Sequence, residues 1–160
     1  MSSIFDDPEL GRVLFIARLH RVLRQLDGQI ETIAADVGIE SPPECSTLIL
    51  SLWKYGPMPL NALAESVGER PAVVGRRIRV LIDQRFARRS VRQEDKRVDF
   101  VLTQSGYRQA ETLVRLSPLM EEVYRTLNEE LGVDLADVIE RLAINIKARS
   151  LKERFAELAD

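Results

Sequence analysis

The chain has 160 residues, 45% hydrophobic and 30% charged, with a formal net charge of −2, an ordinary composition for one globular domain or one compact two-lobed unit. Its longest apolar runs, Ser46 to Trp53 and Val98 to Leu102, fall well short of the roughly 18 residues that span a bilayer, and the stretch Met1 to Asp7 has neither the basic nor the apolar region of a secretion signal, so a cytoplasmic protein without a membrane partner is expected. With one cysteine, Cys45, and one histidine, His20, there is no internal disulfide framework and no Cys/His set for a structural zinc; neither metal nor other cofactor is expected.

From Pro8 to about Val37, apolar residues recur at helical spacing (Leu10, Val13, Leu14, Ala17, Val22, Leu23, Leu26, Ile30, Ile33, Ala34), which predicts one long amphipathic helix. Gly38 is its stop. Ser41-Pro42-Pro43-Glu44 reads as a capping box that opens a second helix, roughly Pro43 to Tyr55. Gly56-Pro57-Met58-Pro59 is a turn, and a short third helix, Leu60 to Val67, is ended by Gly68. Pro71 opens a fourth, to about Gln84, with Val74, Ile78, Leu81 and Ile82 as its buried stripe. Beyond Phe86 the period changes to that of strands. Ala87 to Arg92 and Val98 to Leu102 form a hairpin around Gln93-Glu94-Asp95-Lys96, with Val98, Phe100 and Leu102 alternating against Asp99 and Val101. Thr103, with Gly106 near the first turn, caps a long helix through about Asn128 that Ser117-Pro118 should disturb. Asp134 starts a last helix, whose stripe of Leu135, Val138, Ile139, Leu142, Ile146, Leu151, Phe155 and Leu158 is too apolar to face water.

The predicted fold is therefore mostly α with a small β-hairpin wing. A winged helix-turn-helix domain over 38–104 is flanked by an N-terminal dimerisation helix over 1–37 and C-terminal dimerisation helices over 105–160. Between Glu69 and Arg97, ten basic residues stand against four acidic ones, leaving +6 there and −8 over the rest of the chain. Such asymmetry is the electrostatic footprint of a segment that docks on phosphates. In a helix-turn-helix the second helix enters the major groove. If Val74, Ile78 and Leu81 face the core, steps of about 100° per residue put Ala72, Arg76 and Arg79 on the opposite side with Arg77 flanking. Arg76 is the expected base reader, because arginine makes bidentate contacts to guanine. Arg70, Arg77 and Arg79 are the expected phosphate anchors, joined on the wing by Arg88, Arg89, Arg92 and Lys96.

Three strings, Gly56-Pro57-Met58-Pro59-Leu60-Asn61-Ala62-Leu63-Ala64-Glu65, Glu94-Asp95-Lys96-Arg97 and Leu102-Thr103-Gln104-Ser105-Gly106, in this order and between long helices, resemble the multiple-antibiotic-resistance regulator (MarR) family of winged-helix repressors. The resemblance covers almost the whole chain. It implies a sequence-specific regulator of double-stranded DNA, a repressor released by a small-molecule or oxidant signal, that dimerises through its first and last helices on a pseudo-palindromic operator. It further implies that Asp95 orients Arg97 toward the minor groove, whose negative potential attracts arginine where it is narrow. Arg70, Val73 and Gly75 stand where the family carries a small hydroxyl cap and threonines on the exposed first turn, and Arg85 stands where a glycine usually ends the recognition helix.

His20, Cys45 and Trp53 are candidates to line an effector pocket. His20 lacks a companion at metal-ligand spacing, and Cys45, although near a helix start where thiolates are stabilised, reads better as a buried inert thiol. No phosphate loop, metal motif or nucleophile elbow is present, so the protein is not expected to be an enzyme. The rival from another class is a winged-helix adaptor whose basic surface binds an acidic protein.

Overall fold

The computed structural model describes residues 3–91 and 96–159. It divides into two compact units, Met1–Arg115 and Leu116–Asp160, and none of its helices is long and apolar enough to cross a membrane.

The first unit opens with a 3₁₀ turn, Ile4–Asp6, followed by α1 (Leu10–Val13) and α2 (Phe15–Asp36). The single helix expected from Pro8 is thus broken at Leu14, whose ψ of 24° leaves the helical basin. Two contacts account for the break and for the late start. Asp7 Oδ1 accepts from the backbone N–H groups of Glu9 and Leu10 at 3.0 and 2.8 Å and so starts the helix there. Arg18 Nε then donates to the Gly11 carbonyl at 3.1 Å, and a second guanidinium nitrogen donates to the Phe5 carbonyl, inserting a side chain into the helical ladder.

The capping box expected at Ser41 does not form. Glu40 N and Ser41 N instead donate to the side-chain oxygen of Gln109, at 2.9 and 3.4 Å, and the Ser41 hydroxyl is buried without a partner among the described residues. A tertiary contact replaces the local cap. Pro43–Cys45 is consequently a 3₁₀ turn, and α3 begins at Ser46 and runs to Tyr55. Then follow α4 (Leu60–Ser66) and α5 (Pro71–Asp83), with Gly56 and Gly68 at φ 81° and 67° turning the chain after α3 and α4. Leu48, Ile49 and Leu52 of α3 meet Leu63 of α4 and Val74, Ile78 and Leu81 of α5, closed over by Phe86, Phe100, Leu102 and Ala110. Burial of each large apolar side chain in this cluster contributes about 1.5–3 kcal/mol. Ile82, expected in the stripe, is only half-buried.

Strands β1 (Ala87–Val91) and β2 (Val98–Leu102) pair antiparallel, Ala87 opposite Leu102 and Val91 opposite Val98. Met58 adds a bridge on the other edge of β2, exchanging both backbone bonds with Phe100 at 3.2 and 2.9 Å. The expected alternation holds only at the base of the hairpin. Phe100 and Leu102 are buried, but Val98 is 43% exposed whereas Asp99, opposite Ser90, is only 5% exposed. The apolar face of the hairpin outruns the core that covers its base.

From Gln104, α6 continues to Leu131, past the expected end and through Pro118 without interruption. Val114, whose carbonyl loses its donor to the proline ring, is exposed, so water can satisfy that carbonyl. The second unit adds α7 (Leu135–Ala148) and α8 (Leu151–Ala159). Asp134 caps α7 as expected, accepting from Ala136 N and Asp137 N. The single last helix is nevertheless two, because Arg149 is extended (φ −150°, ψ 112°) and Ser150 with Glu153 forms a reciprocal capping box. Glu153 N donates to Ser150 Oγ at 3.2 Å while Ser150 N donates to Glu153 Oε2 at 2.7 Å, satisfying donors at the new helix start.

The first turn of α6 lies against the end of the core. Thr103 Oγ1 accepts from Gly106 N at 3.1 Å, and a Cβ built on Gly106 would come within 2.0 Å of the Phe86 carbonyl oxygen. Gly106→Ala must therefore push backbone from backbone. A loss of about 3 kcal/mol is expected, to be read by denaturant unfolding; a variant as stable as the wild type would show that the contact does not constrain the fold.

Candidate nucleic-acid interface

Helix α5 starts without a side-chain cap. Arg70 is its extended N-cap residue, with φ −70° and ψ 141°, and Pro71, at the first helical position, is the start signal because its fixed φ suits that site. Val74, Ile78 and Leu81 are buried while Arg70, Ala72, Arg76 and Arg79 are exposed and Val73 is half-buried. The predicted helical phase is therefore the one adopted. Val80, at 37% exposure, extends the open surface. Arg77 is half-buried and pairs with Glu69 at 3.6 Å, which draws its guanidinium toward the loop before the helix. Nothing in the helical pattern of α5 signalled that acid as its partner.

On the wing, Arg88, Arg89, Lys96 and Arg97 are all exposed. Arg92 and Asp95 lie outside the described residues. Successive strand residues point to opposite faces, so Arg88 and Arg89 cannot both present to one surface. Arg89, opposite Phe100, shares the face that carries the core, and Arg88 shares the other face with Asp99. Lys96 has φ 54°, a left-handed turn residue at the end of the hairpin loop.

Helix and wing are joined by three residues, Gln84, Arg85 and Phe86. Arg85 N donates to Ile82 O at 2.9 Å and Phe86 N to Leu81 O at 2.8 Å, the crossed pair of bonds of a Schellman motif, which requires a left-handed residue after the cap. That residue is Arg85, at φ 63°. Thr103 Oγ1 and Ser105 Oγ donate to its carbonyl oxygen at 2.6 and 2.8 Å, so the start of α6 holds the junction in place.

The three expected effector residues sit in unlike surroundings. Cys45 has no exposed surface, and its Sγ–H donates to the Arg77 carbonyl at 3.7 Å. Burial, with Glu44 beside it and only Arg77 opposing, pushes the thiol up to about 11, against the lowering that a helix start would give. His20 is exposed on α2, and Trp53 is 41% exposed on α3. An open cleft of about 370 Å³ between α2 and the Pro43–Cys45 turn is lined instead by Asp27, Ile30, Glu31, Pro43 and Glu44. Among the described residues no group of three His, Cys, Asp or Glu side chains is placed to hold a metal ion.

No known family profile matches the sequence, and no curated protein does. Solved structures do match by fold. A MarR family transcriptional regulator from Silicibacter pomeroyi is 23% identical over 93% of this chain and 98% of its own, with a TM-score of 0.57. A mutant MarR from E. coli complexed with operator DNA is 15% identical over 88% of this chain and 99% of its own, with a TM-score of 0.62. The S. aureus MepR–DNA complex is 20% identical over 81% of this chain and 94% of its own, with a TM-score of 0.54. An exposed helix with arginines on its open face, a clamped junction and a basic hairpin, set between long helices, make up the winged-helix fold of the MarR-family regulators.

Proposed function

We propose that the chain is a sequence-specific, double-stranded DNA-binding transcription regulator that acts as a homodimer, a repressor released by a small molecule. The observation that carries this reading is the face of α5 bearing Ala72, Arg76 and Arg79 free of the core, three residues of junction away from a hairpin bearing Arg88, Arg89, Lys96 and Arg97. Two proteins of the same fold were solved in complex with DNA, one of them with operator DNA, which supports the same use of the surface here. Arg76 reads bases, Arg70 and Arg79 hold phosphates, and Arg97 approaches the minor groove. Arg77 contributes less, because contact with DNA must compete with Glu69.

Exposed apolar helices support a second copy as partner. On α2, Leu19, Val22, Leu23 and Leu26 are exposed, as are Ile139, Leu142, Ile146, Leu151, Phe155 and Leu158 on α7 and α8, far more apolar surface than a monomer usually leaves open. A two-fold dimer would set two α5 helices about one DNA turn apart on a pseudo-palindromic site. Release by an oxidant acting on Cys45 finds no support in a buried thiol whose pKa is raised, so a small-molecule signal is the better fit.

Arg76→Ala should narrow the gap between a duplex selected from a random library by the wild-type protein and unselected DNA, since one bidentate guanine contact carries about 1–3 kcal/mol of discrimination. Arg97→Ala should weaken both DNAs without unfolding the protein. Equal losses for both DNAs in the Arg76 variant would displace the base-reading role, and failure of the wild type to enrich any sequence would favour the adaptor. Truncation after Arg149 removes Leu151, Phe155 and Leu158, each contributing roughly 1.5–3 kcal/mol if buried in a dimer, and should dissociate or aggregate the protein; an intact dimer by light scattering would refute the assignment of these helices. In the native protein at pH 8, about one Cys45 in a thousand is thiolate, so alkylation should wait on unfolding, whereas rapid labelling of the folded protein would reopen the oxidant route.

A further inference from the structure

Arg85 occupies a position where glycine is free of cost. A left-handed residue with a Cβ is strained, and strain of this kind gathers where a side chain has work to do. Arg85 nevertheless adopts φ 63°, and two hydroxyl groups, Thr103 Oγ1 and Ser105 Oγ, are spent on its carbonyl oxygen. The side chain does nothing for the fold in return. It is exposed, and among the described residues its guanidinium has neither a hydrogen bond nor an ion pair. Its place is singular: the chain passes from α5 through Gln84, Arg85 and Phe86 into β1, so along the chain this cation falls between the helix assigned to the major groove and the wing assigned to the minor groove. The element separating those two grooves on a duplex is the sugar–phosphate strand.

We infer that Arg85 is a DNA-contact residue that binds the phosphate strand running between the two grooves, and that the left-handed strain of the junction is tolerated to place this guanidinium. The inference rests on the reading of the α5 face and wing as a DNA interface. Because a phosphate contact is blind to sequence, it is testable without knowing an operator, using a fluorescein-labelled 40-base-pair duplex of arbitrary sequence and the full-length protein.

Three variants separate charge from backbone. Arg85→Gly removes the strain and the cation together, Arg85→Gln keeps the strained backbone without the charge, and Arg85→Lys keeps both. Arg85→Gly should melt about 2–4 °C higher than the wild type and yet bind the duplex about fivefold more weakly near 0.15 M salt, with the slope of log affinity against log salt shallower by about one. Arg85→Gln should lose affinity and slope equally, and Arg85→Lys should retain the slope. A glycine variant that melts higher with affinity and slope unchanged overturns the inference while leaving the DNA reading intact. So does a glycine variant that melts lower, because the junction would then not be strained, and so does a glutamine variant that binds as the wild type does. Absence of salt-dependent duplex binding by the wild type itself would bring down the interface reading, and this inference with it.

Discussion

The arrangement of the winged unit depends on one close approach, that of the first turn of α6 to the Phe86 carbonyl. Three elements meet there. Helix α5 ends at Asp83, β1 begins at Ala87 and β2 ends at Leu102, so a single knot fixes the end of the helix and both roots of the wing. Thr103 N donates to Phe86 O at 3.0 Å, the Thr103 and Ser105 hydroxyls take the Arg85 carbonyl, and Gly106 leaves room for backbone to touch backbone. Met58 ties the opposite edge of β2 to the turn that starts α4. Short bonds at this knot act together with the packing of Phe86, Phe100 and Leu102 on Ile78 and Leu81 to set the angle between α5 and the hairpin. Elements whose separation is fixed in advance engage two grooves of a duplex at a smaller ordering cost.

What could be read from the amino-acid order, and what could not, divides along the range of the controlling contact. Helices α4 and α5 and strand β2 fall within a residue or so of their expected ends, because proline and glycine act on their own backbone at Pro59, Gly68 and Pro71 and the strand is marked by its own period. The open face of α5 followed from its period alone. Failures arise where a distant residue intervenes. Gln109 takes the N–H groups of residues 40 and 41 across 68 positions and more, and Arg18 reaches back to Gly11 and Phe5, so neither Ser41 nor the first helix behaves as its neighbourhood suggests. The pairing of Arg77 with Glu69 likewise needs the turn between α4 and α5 to be known. Other signals were local and legible. Ser150-Leu151-Lys152-Glu153 has the spacing of a capping box, and strand alternation alone divides Arg88 from Arg89. The wing pair of Asp95 and Arg97 is only half within the described residues.

Burial is distributed unevenly. Every member of the main apolar cluster lies between Cys45 and Ala110, while α2 buries only Ala34 and no residue of α7 or α8 is buried. The winged unit thus has a core of its own. The amphipathic pattern of the long helices, by contrast, has no explanation within either unit, and a helix is held in water chiefly by packing its apolar face rather than by propensity. In the proposed dimer, order in α2, α7 and α8 and the covering of those faces would be one event, with the stability of these segments tied to protein concentration.

Charge follows the same division and adds a direction. The segment from Glu69 to Arg97 carries +6 while the remainder carries −8, so a polyanion is attracted by one part of the surface and repelled by the rest. Within α5 the gradient is finer. Arg70 lies at the positive end of the helix dipole, whereas Asp83 lies at the negative end with no basic residue in the last turn to offset it. Steps of about 100° put Asp83 on the same face as Ala72 and Arg76, and it is exposed there. An acid in that position does nothing for the helix and would meet phosphate unfavourably if α5 lay flat along a groove. In the proposed complex both effects favour entry by the N-terminal end of α5, which would bring Arg76 to the base edges.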